Sequence, residues 1–151
     1  MKIILMMMGI CALLFSATAA LSNNSLLCVK KGTLTAIAEG FKNDKGFAMF
    51  GLCNTAECFN NAEKNALLPQ KVQIINGKAT HDFKDVPFGE YAVTVYHDEN
   101  GNGKLDKGLF GKPLELYGFS NNARGIFSRP DYKKAAFVLD KRDMTVRIIV
   151  E

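Results

Sequence analysis

The chain has 151 residues, of which 19 are Lys or Arg and 15 are Asp or Glu, giving a formal net charge of +4, and 48% of the residues are hydrophobic. This length fits one domain, and the composition excludes intrinsic disorder, a collagen-like repeat and a cysteine-dense scaffold. A single long apolar run, at the N-terminus, excludes a membrane protein with several spans.

The N-terminal segment has the pattern of a secretory signal peptide. A short positive start precedes 13 consecutive apolar residues, 3–15, and then a run of small residues. Cleavage after Ala19 and cleavage after Ala20 fit this pattern equally well. We therefore predict a signal peptide over 1–20 and a single exported domain over 21–151, periplasmic or extracellular. The apolar run is shorter than the roughly 20 residues that span a bilayer, so no transmembrane span is expected after cleavage.

The predicted mature chain is nearly balanced in charge. Removing the signal peptide takes away one basic residue, Lys2, and leaves 18 basic against 15 acidic side chains. The basic residues occur in isolated pairs without interleaved aromatic residues, whereas nucleic-acid binders combine a basic surface with stacking rings. We therefore expect no nucleic-acid partner.

Three cysteines remain in the predicted mature chain, namely Cys28, Cys53 and Cys58. An oxidising compartment permits a disulfide, and an odd number leaves one cysteine over. The short separation of Cys53 and Cys58, across a predicted strand end, favours that pair, although the other two pairings and three unpaired, buried cysteines stay open. The sequence has neither a Cys-x-x-Cys redox motif nor a zinc-ligand spacing.

Period-two alternation of apolar and polar residues recurs through the mature chain and predicts about seven short strands. Asn76 and Gly77 accept positive φ and predict a two-residue hairpin turn between two of them. Strands separated by turns indicate an all-β fold, an antiparallel Greek-key β-sandwich. The predicted strands are 33–39, 46–53, 72–75, 78–84, 91–96, 133–139 and 144–150.

One segment breaks the strand pattern, and it predicts a short surface helix. Apolar residues between Thr55 and Leu68 fall near a helical spacing, Thr55 can cap the start, and Pro69 ends the segment. Farther along, a Pro-x-Gly turn at 87–89 should be sharp, because Pro87 fixes one φ and glycine adopts conformations that other residues resist. This turn leads into the strand at 91–96.

The strand at 91–96 runs into His97-Asp-Glu-Asn-Gly-Asn-Gly-Lys-Leu-Asp106, the most informative stretch of the chain. Alternate residues of this segment carry oxygen ligands, and Gly103 allows a bend that turns one backbone carbonyl inward. A hard divalent cation such as Ca²⁺ prefers six to eight oxygens in a flexible cage. The sequence therefore predicts a calcium site whose ligands are Asp98, Asn100, Asn102, the carbonyl of Lys104 and Asp106.

The predicted calcium loop lacks one usual ligand. Leu109 stands at the twelfth position, where an EF-hand places a bidentate Glu. Another ligand must then come from Glu99, Glu115 or water, or the site is weak. The alternative is a turn without an ion, because Asn, Asp and Gly also favour turns for backbone reasons alone.

These residues and the motifs beside them resemble a known family. The His97–Asp106 loop, the following Gly-x-Pro-x-Glu-x-Tyr-Gly-Phe-Ser-Asn-Asn-Ala at 111–123 and the Pro-x-Gly-x-Tyr turn at 87–91 resemble the bacterial domain-of-unknown-function family numbered 2141. The likeness runs from about Thr33 to the end. It implies an exported bacterial protein, a transthyretin-like or carboxypeptidase-regulatory-like β-sandwich and no established activity. The mature cysteines depart from the usual pattern of the family, which therefore gives no support for a disulfide.

The segment from Tyr117 to Arg129 is the second candidate for function. Its Asn and Arg side chains could form a pocket for a small ligand or an envelope partner, or they could satisfy the backbone of a long crossover, which is the simpler interpretation. A small hydrolase using Ser120, His97 and Arg124 is the alternative from another class. The predicted function is nevertheless non-enzymatic, and a metal-free structural domain remains a third interpretation.

Overall fold

A computed structural model describes residues 29–126 and 128–151 and shows, within these ranges, eight strands in two sheets and three short helices. This confirms the predicted all-β fold with a small helical part. The predicted signal peptide and Cys28 lie outside the described residues. The strands are β1 (Lys31–Glu39), β2 (Phe47–Cys53), β3 (Gln70–Gln73), β4 (Lys78–Pro87), β5 (Gly89–Asp98), β6 (Tyr117–Phe119), β7 (Phe137–Leu139) and β8 (Asp143–Ile149), and the helices are α1 (Ala56–Asn60), α2 (Ala62–Asn65) and α3 (Tyr132–Ala135).

The first sheet has three strands in the order β4-β1-β8. β1 pairs antiparallel with β4, with Leu34 opposite Phe83. It pairs parallel with β8, with Thr35 opposite Thr145. We expected an antiparallel sandwich, and this one strand pair differs from that prediction. Alternation in a sequence reports which face a side chain takes and carries no information on strand direction, which explains the difference.

The second sheet has the order β3-β2-β5-β6, and β7 also pairs with β5. β2 pairs along the last seven residues of β5, from Ala92 to Asp98. On the other side, β7 pairs with the start of β5 and β6 pairs with its middle. β5 is therefore the central strand of this sheet, and the candidate calcium loop begins at its C-terminal end.

The two sheets enclose the main hydrophobic core. Its side chains alternate along the strands, as the period-two pattern predicted, and each large aliphatic or aromatic one contributes about 1.5–3 kcal/mol on burial. The most deeply buried members, at 2% exposure or less, include Leu34, Phe50, Leu52, Ile74, Phe83, Val93, Val95, Leu139 and Ile148.

A second cluster covers the outer face of the five-stranded sheet. Phe59 of α1 packs on Phe119 of β6, with ring centroids 5.2 Å apart. A disulfide joins Cys53, at the end of β2, to Cys58 of α1, which is the pair that the sequence favoured. This cluster attaches the helical segments to the sheet and forms one wall of a cleft described below.

The predicted helix at 55–68 is two short helices. The Oγ of Thr55 accepts a hydrogen bond from the backbone N–H of Cys58 at 3.1 Å, as expected of a cap. Asn61 then leaves helical geometry, with φ −126° and ψ 40°, and separates α1 from α2. The predicted strand at 133–139 also begins with a helical turn, α3, and only 137–139 is extended. Segments this short cannot be assigned by periodicity alone.

The predicted hairpin turn between β3 and β4 is present. Asn76 and Gly77 have φ of 52° and 70°, the pair of positive values that a type I′ turn requires. The carboxylate of Asp44 accepts hydrogen bonds from both of their backbone N–H groups, each at 2.8 Å. The Asn-Gly pair and the contact with Asp44 therefore both stabilise the same turn between β3 and β4.

Candidate functional site

The candidate calcium loop begins at the last residue of β5. Asp98 is fully buried, and it pairs with Phe47 across the sheet. Gly46 allows this arrangement because a Cβ on that residue would lie 1.9 Å from the carbonyl oxygen of Asp98, and its φ is +63°. A glycine before β2 therefore lets the neighbouring backbone close over the base of the loop.

Three of the predicted ligand side chains, those of Asn100, Asn102 and Asp106, contact one another. Asn100 and Asn102 donate through their Nδ2 atoms to the two carboxylate oxygens of Asp106, at 2.6 and 3.0 Å. Asp98 reaches the opposite side of the turn, where its Oδ2 accepts a hydrogen bond from the N–H of Gly103 at 2.9 Å. Asn100 and Asn102 are exposed and direct their amide nitrogens at Asp106, whereas Asp98 is buried and contacts the loop backbone.

The two amide oxygens are held by the backbone of the loop. The Oδ1 of Asn100 accepts from the N–H of Asn102 at 3.0 Å, and the Oδ1 of Asn102 accepts from the N–H of Lys104 at 2.8 Å. Gly101 and Gly103, with φ of 77° and 76°, provide the bends between these contacts. The carbonyl oxygen of Lys104, the fifth predicted ligand, accepts no hydrogen bond from the described residues.

One oxygen of the loop is buried without a partner. The Oδ1 of Asp98 is shielded from solvent and receives no hydrogen bond within residues 29–126 and 128–151. Burying a polar atom without a hydrogen bond is costly, and a carboxylate oxygen is among the most costly groups to leave unpaired. In the same ranges no group of three or more His, Cys, Asp or Glu is placed to hold a metal ion. A cation here would rely on amide and backbone oxygens beside two carboxylates.

The residues considered as additional ligands are engaged elsewhere. Glu115 accepts hydrogen bonds from the N–H of Glu99 at 3.0 Å and of Asp106 at 2.9 Å. The side chain of Glu99 in turn accepts a hydrogen bond from Asn43 at 3.0 Å. Leu109, in the twelfth position, is 81% exposed. Glu115 thus holds the two ends of the loop together through the backbone, a role that sequence spacing did not indicate.

The residues of the alternative hydrolase are placed among backbone groups. The fully buried hydroxyl of Ser120 accepts from the N–H of Val93 at 2.9 Å and donates to the carbonyl of Ala135 at 2.6 Å. The Nε2 of His97, a residue only 2% exposed, lies 2.8 Å from the carbonyl oxygen of Lys45. Neither residue is hydrogen-bonded to the other.

Arg124, the third residue of that alternative, lies at the C-terminal edge of the sandwich. It forms an ion pair with Glu151, and its Nη2 donates to the carbonyl of Ile149 at 2.8 Å. Asn122 accepts a hydrogen bond from the N–H of the same Ile149 at 2.8 Å. These contacts agree with the simpler interpretation of the 117–129 segment, a crossover whose polar side chains satisfy the backbone around them.

Arg129, at the end of the segment, is arranged differently. Its Nη1 donates to the carbonyl of Phe59, and its guanidinium carbon lies 5.5 Å from the centre of the Phe59 ring and 5.3 Å from that of Phe119. The side chain is half-buried, and desolvation lowers its pKa from the ordinary value. Sequence analysis included Arg129 in the candidate segment 117–129. It did not indicate that the side chain of Arg129 contacts α1.

A cleft of about 70 Å³ opens beside Arg129 on the outer face of the five-stranded sheet. It lies between α2 on one side and the Asp98–Asp106 loop on the other, so the two candidate regions of the sequence adjoin. The residues that line it include Gly51, Ala62, Glu63, Thr94, Tyr96, Gly103, Leu105, Tyr117, Phe119 and Arg129.

A tyrosine connects the cleft to the loop. The hydroxyl of Tyr96 donates a hydrogen bond to the carbonyl of Gly103 at 2.9 Å. Desolvation, together with the nearby carboxylates of Glu63, Asp98 and Glu115, raises the pKa of Tyr96 to about 12. The phenol therefore stays protonated at neutral pH and acts as a constant hydrogen-bond donor to the loop.

Comparison with known proteins identifies the family of the chain. The family model described as "Uncharacterized protein conserved in bacteria (DUF2141)" matches residues 37–147. Neither the curated proteins nor the solved structures gave a match. In the described part of the chain, none of the helices has the length and apolar character needed to cross a membrane. Since the matched region covers most of the sequence, the chain belongs to the bacterial DUF2141 family.

Proposed function

We propose that the protein is an exported, non-enzymatic β-sandwich module of the bacterial envelope, in which the Asp98–Asp106 loop binds Ca²⁺. The observation that carries this proposal is the Oδ1 of Asp98, a buried carboxylate oxygen without a hydrogen-bond partner among the described residues. A cation in the turn would compensate this oxygen, because a buried carboxylate is stabilised by an opposite charge or a metal ion.

The other loop contacts describe the turn without an ion. The amides of Asn100 and Asn102 direct their nitrogens at the carboxylate of Asp106, so both must turn their oxygens inward for a cation to bind. Calcium accepts carboxylate, amide and backbone carbonyl oxygens together. With only two carboxylates, the affinity we expect is that of extracellular modules, roughly 10⁻⁴ to 10⁻³ M.

Export is supported by two independent features. The first 20 residues have the pattern of a signal peptide. The Cys53–Cys58 disulfide requires an oxidising environment, such as the periplasm or the extracellular space. A non-enzymatic role is supported by Ser120 and His97, whose polar atoms contact backbone groups instead of each other.

The test is calcium titration of residues 21–151 by calorimetry, with melting temperature measured in calcium and in EDTA. We expect saturable heat and a higher melting temperature in calcium, because a ligand at about ten times its Kd stabilises a fold by roughly 1.4 kcal/mol. Asp98→Asn should remove both effects, whereas Asp140→Asn, at an exposed position, should keep them. Wild-type protein that gives neither heat nor stabilisation at about ten times the weakest expected Kd would contradict the proposal.

A metal-free structural domain is the second candidate. The hydrogen bonds that Asp106 accepts within the loop favour it, because they give the turn an internal structure without an ion. The same titration separates the two candidates, since a metal-free domain shows equal melting temperatures in calcium and in EDTA.

A further inference from the structure

We propose that Arg129 is the anchor of a binding site for a small monocarboxylate with an apolar body, located in the cleft between α2, β6 and the calcium loop. This proposal goes beyond the proposed function and is independent of calcium. The observation behind it is an arginine whose charge has no carboxylate partner in the described part of the chain.

The guanidinium of Arg129 is only partly used by the protein. Its Nη1 donates to the carbonyl of Phe59, and among the described residues its Nε and Nη2 have no hydrogen-bond acceptor. The nearby Glu63 pairs instead with Lys107, at 3.5 Å. Neither unused donor is among the buried, unpartnered side-chain atoms of the described residues, so both can be reached by an external anion. Hydrogen bonds between a guanidinium and a carboxylate are stronger than neutral ones, which favours such a ligand.

The aromatic neighbours of Arg129 fix the position of these donors. The rings of Phe59 and Phe119 lie near its guanidinium carbon, at 5.5 and 5.3 Å, and Tyr117 packs edge-on against Phe119. Cation–π contacts of this kind hold the guanidinium in place without neutralising its positive charge. A preorganised, planar guanidinium is suited to two parallel hydrogen bonds with a carboxylate.

The shape of the cleft sets the size of the acidic group. Gly51 lines the cleft, and the space beside it is narrow, because an added Cβ would lie 2.9 Å from the Oγ1 of Thr94 and 3.1 Å from the Cβ of Ala66. A volume of about 70 Å³ accepts a carboxylate on a short carbon stem. Leu105 and Tyr117 at the edge of the cleft supply apolar surface for the rest of the ligand.

The charge around the cleft distinguishes a carboxylate from a phosphate. Arg129 is the one basic side chain among the described residues that line this cleft, and Glu63, which also lines it, is paired with Lys107. The single charge of a carboxylate is matched by Arg129, whereas the second charge of a phosphate would have no basic partner in the lining. We therefore assign the site to a monocarboxylate.

The experiment uses residues 21–151 in EDTA, so that its outcome does not depend on the calcium proposal. Phenylacetate and hexanoate serve as probes, with phenylacetamide as the neutral match and inorganic phosphate as the alternative anion. Titration followed by ¹H–¹⁵N NMR should show saturable binding of both carboxylates, with amide shifts at Thr94, Tyr117 and Phe119. The neutral amide and phosphate should bind at least about tenfold more weakly.

Two variants and a control complete the test. Arg129→Gln should weaken binding of phenylacetate by at least about tenfold, whereas Arg142→Gln, at an exposed position, should leave it unchanged. Glu63→Gln should strengthen binding, which keeps the proposal testable if the first variant fails to fold. Absence of carboxylate binding by wild-type protein, equal binding of phenylacetamide or phosphate, or retained affinity in Arg129→Gln would each overturn the assignment.

Discussion

Glu115 contacts the far end of the Asp98–Asp106 loop at Asp106, whose backbone N–H donates to the Oε2 of Glu115 at 2.9 Å. The other carboxylate oxygen accepts from the N–H of Glu99 at the near end of the loop, at 3.0 Å. One side chain thus links the two ends of the loop through their backbone N–H groups.

We predict that Glu115→Gln lowers the free energy of unfolding by about 1–2 kcal/mol, because an amide replaces one charged acceptor with a donor that faces a backbone N–H. Urea unfolding monitored by circular dichroism measures this change. Asp140→Asn removes an exposed carboxylate and should change stability by less than about 0.5 kcal/mol. Equal values for the two variants would show that the contacts of Glu115 contribute nothing to the stability of the fold.

Ser120 gives a prediction that separates a structural serine from a catalytic one. Its buried hydroxyl bridges the N–H of Val93 and the carbonyl of Ala135. Ser120→Ala should therefore cost about 1–3 kcal/mol of stability, the penalty for leaving a buried backbone group unpaired. Ser128→Ala, on the surface, should be nearly neutral. Unchanged stability in Ser120→Ala together with loss of an esterase or glycosidase activity would favour the hydrolase instead.

His81 makes stability depend on pH. Desolvation lowers its pKa below the ordinary 6.5, against the opposing influence of Asp82, and its ring packs edge-on to Phe83. A lowered pKa means that the unfolded chain binds the proton more readily, so this contribution is present above about pH 6.5 and is lost as the pH falls toward the folded-state pKa. His81→Gln should therefore lose less stability than wild type between about pH 7.5 and pH 5.5, measured by urea unfolding. An identical loss in both proteins would rule out this role.

Phe110 lies in a left-handed conformation, with φ of 60°, and its side chain is 98% exposed. Left-handed backbone costs an L-residue about 1–2 kcal/mol, and glycine avoids most of that cost while losing more entropy on folding. Since no packing is lost, Phe110→Gly should raise the melting temperature, with a net gain of about 0.5–1 kcal/mol. The adjacent Leu109→Gly, at negative φ, should lower it. Destabilisation by Phe110→Gly would indicate that the ring makes a stabilising contact in solution.

The strands and turns could be predicted because their determinants are local. Alternation located most of the strands, the Asn76–Gly77 pair located the type I′ turn, and Thr55 located the start of α1. The helical turn at α3 was missed because four residues are too few for a period to be read. The ends of strands and helices can thus be predicted when nearby residues determine them. An element as short as one helical turn cannot.

The candidate site was only partly predictable. The loop residues were singled out because oxygen ligands recur at alternate positions. Asn100 and Asn102 contact Asp106 in the structure, and calcium binding by the loop stays a prediction. The clamp formed by Glu115 and the folding of Arg129 onto Phe59 depend on contacts between segments 9 to 70 residues apart. No spacing rule connects such residues, because the tertiary fold alone brings them together.

The parallel pairing of β1 with β8 has a consequence for how the molecule is made. β1 is the central strand of its sheet, and its parallel partner β8 lies far along the chain, with Thr33 paired to Asp143. On a ribosome, β1 is therefore synthesised well before β8, and one edge of β1 stays unpaired until residues 143–149 have emerged. Deletion of residues 143–149 should leave that edge open to intermolecular association.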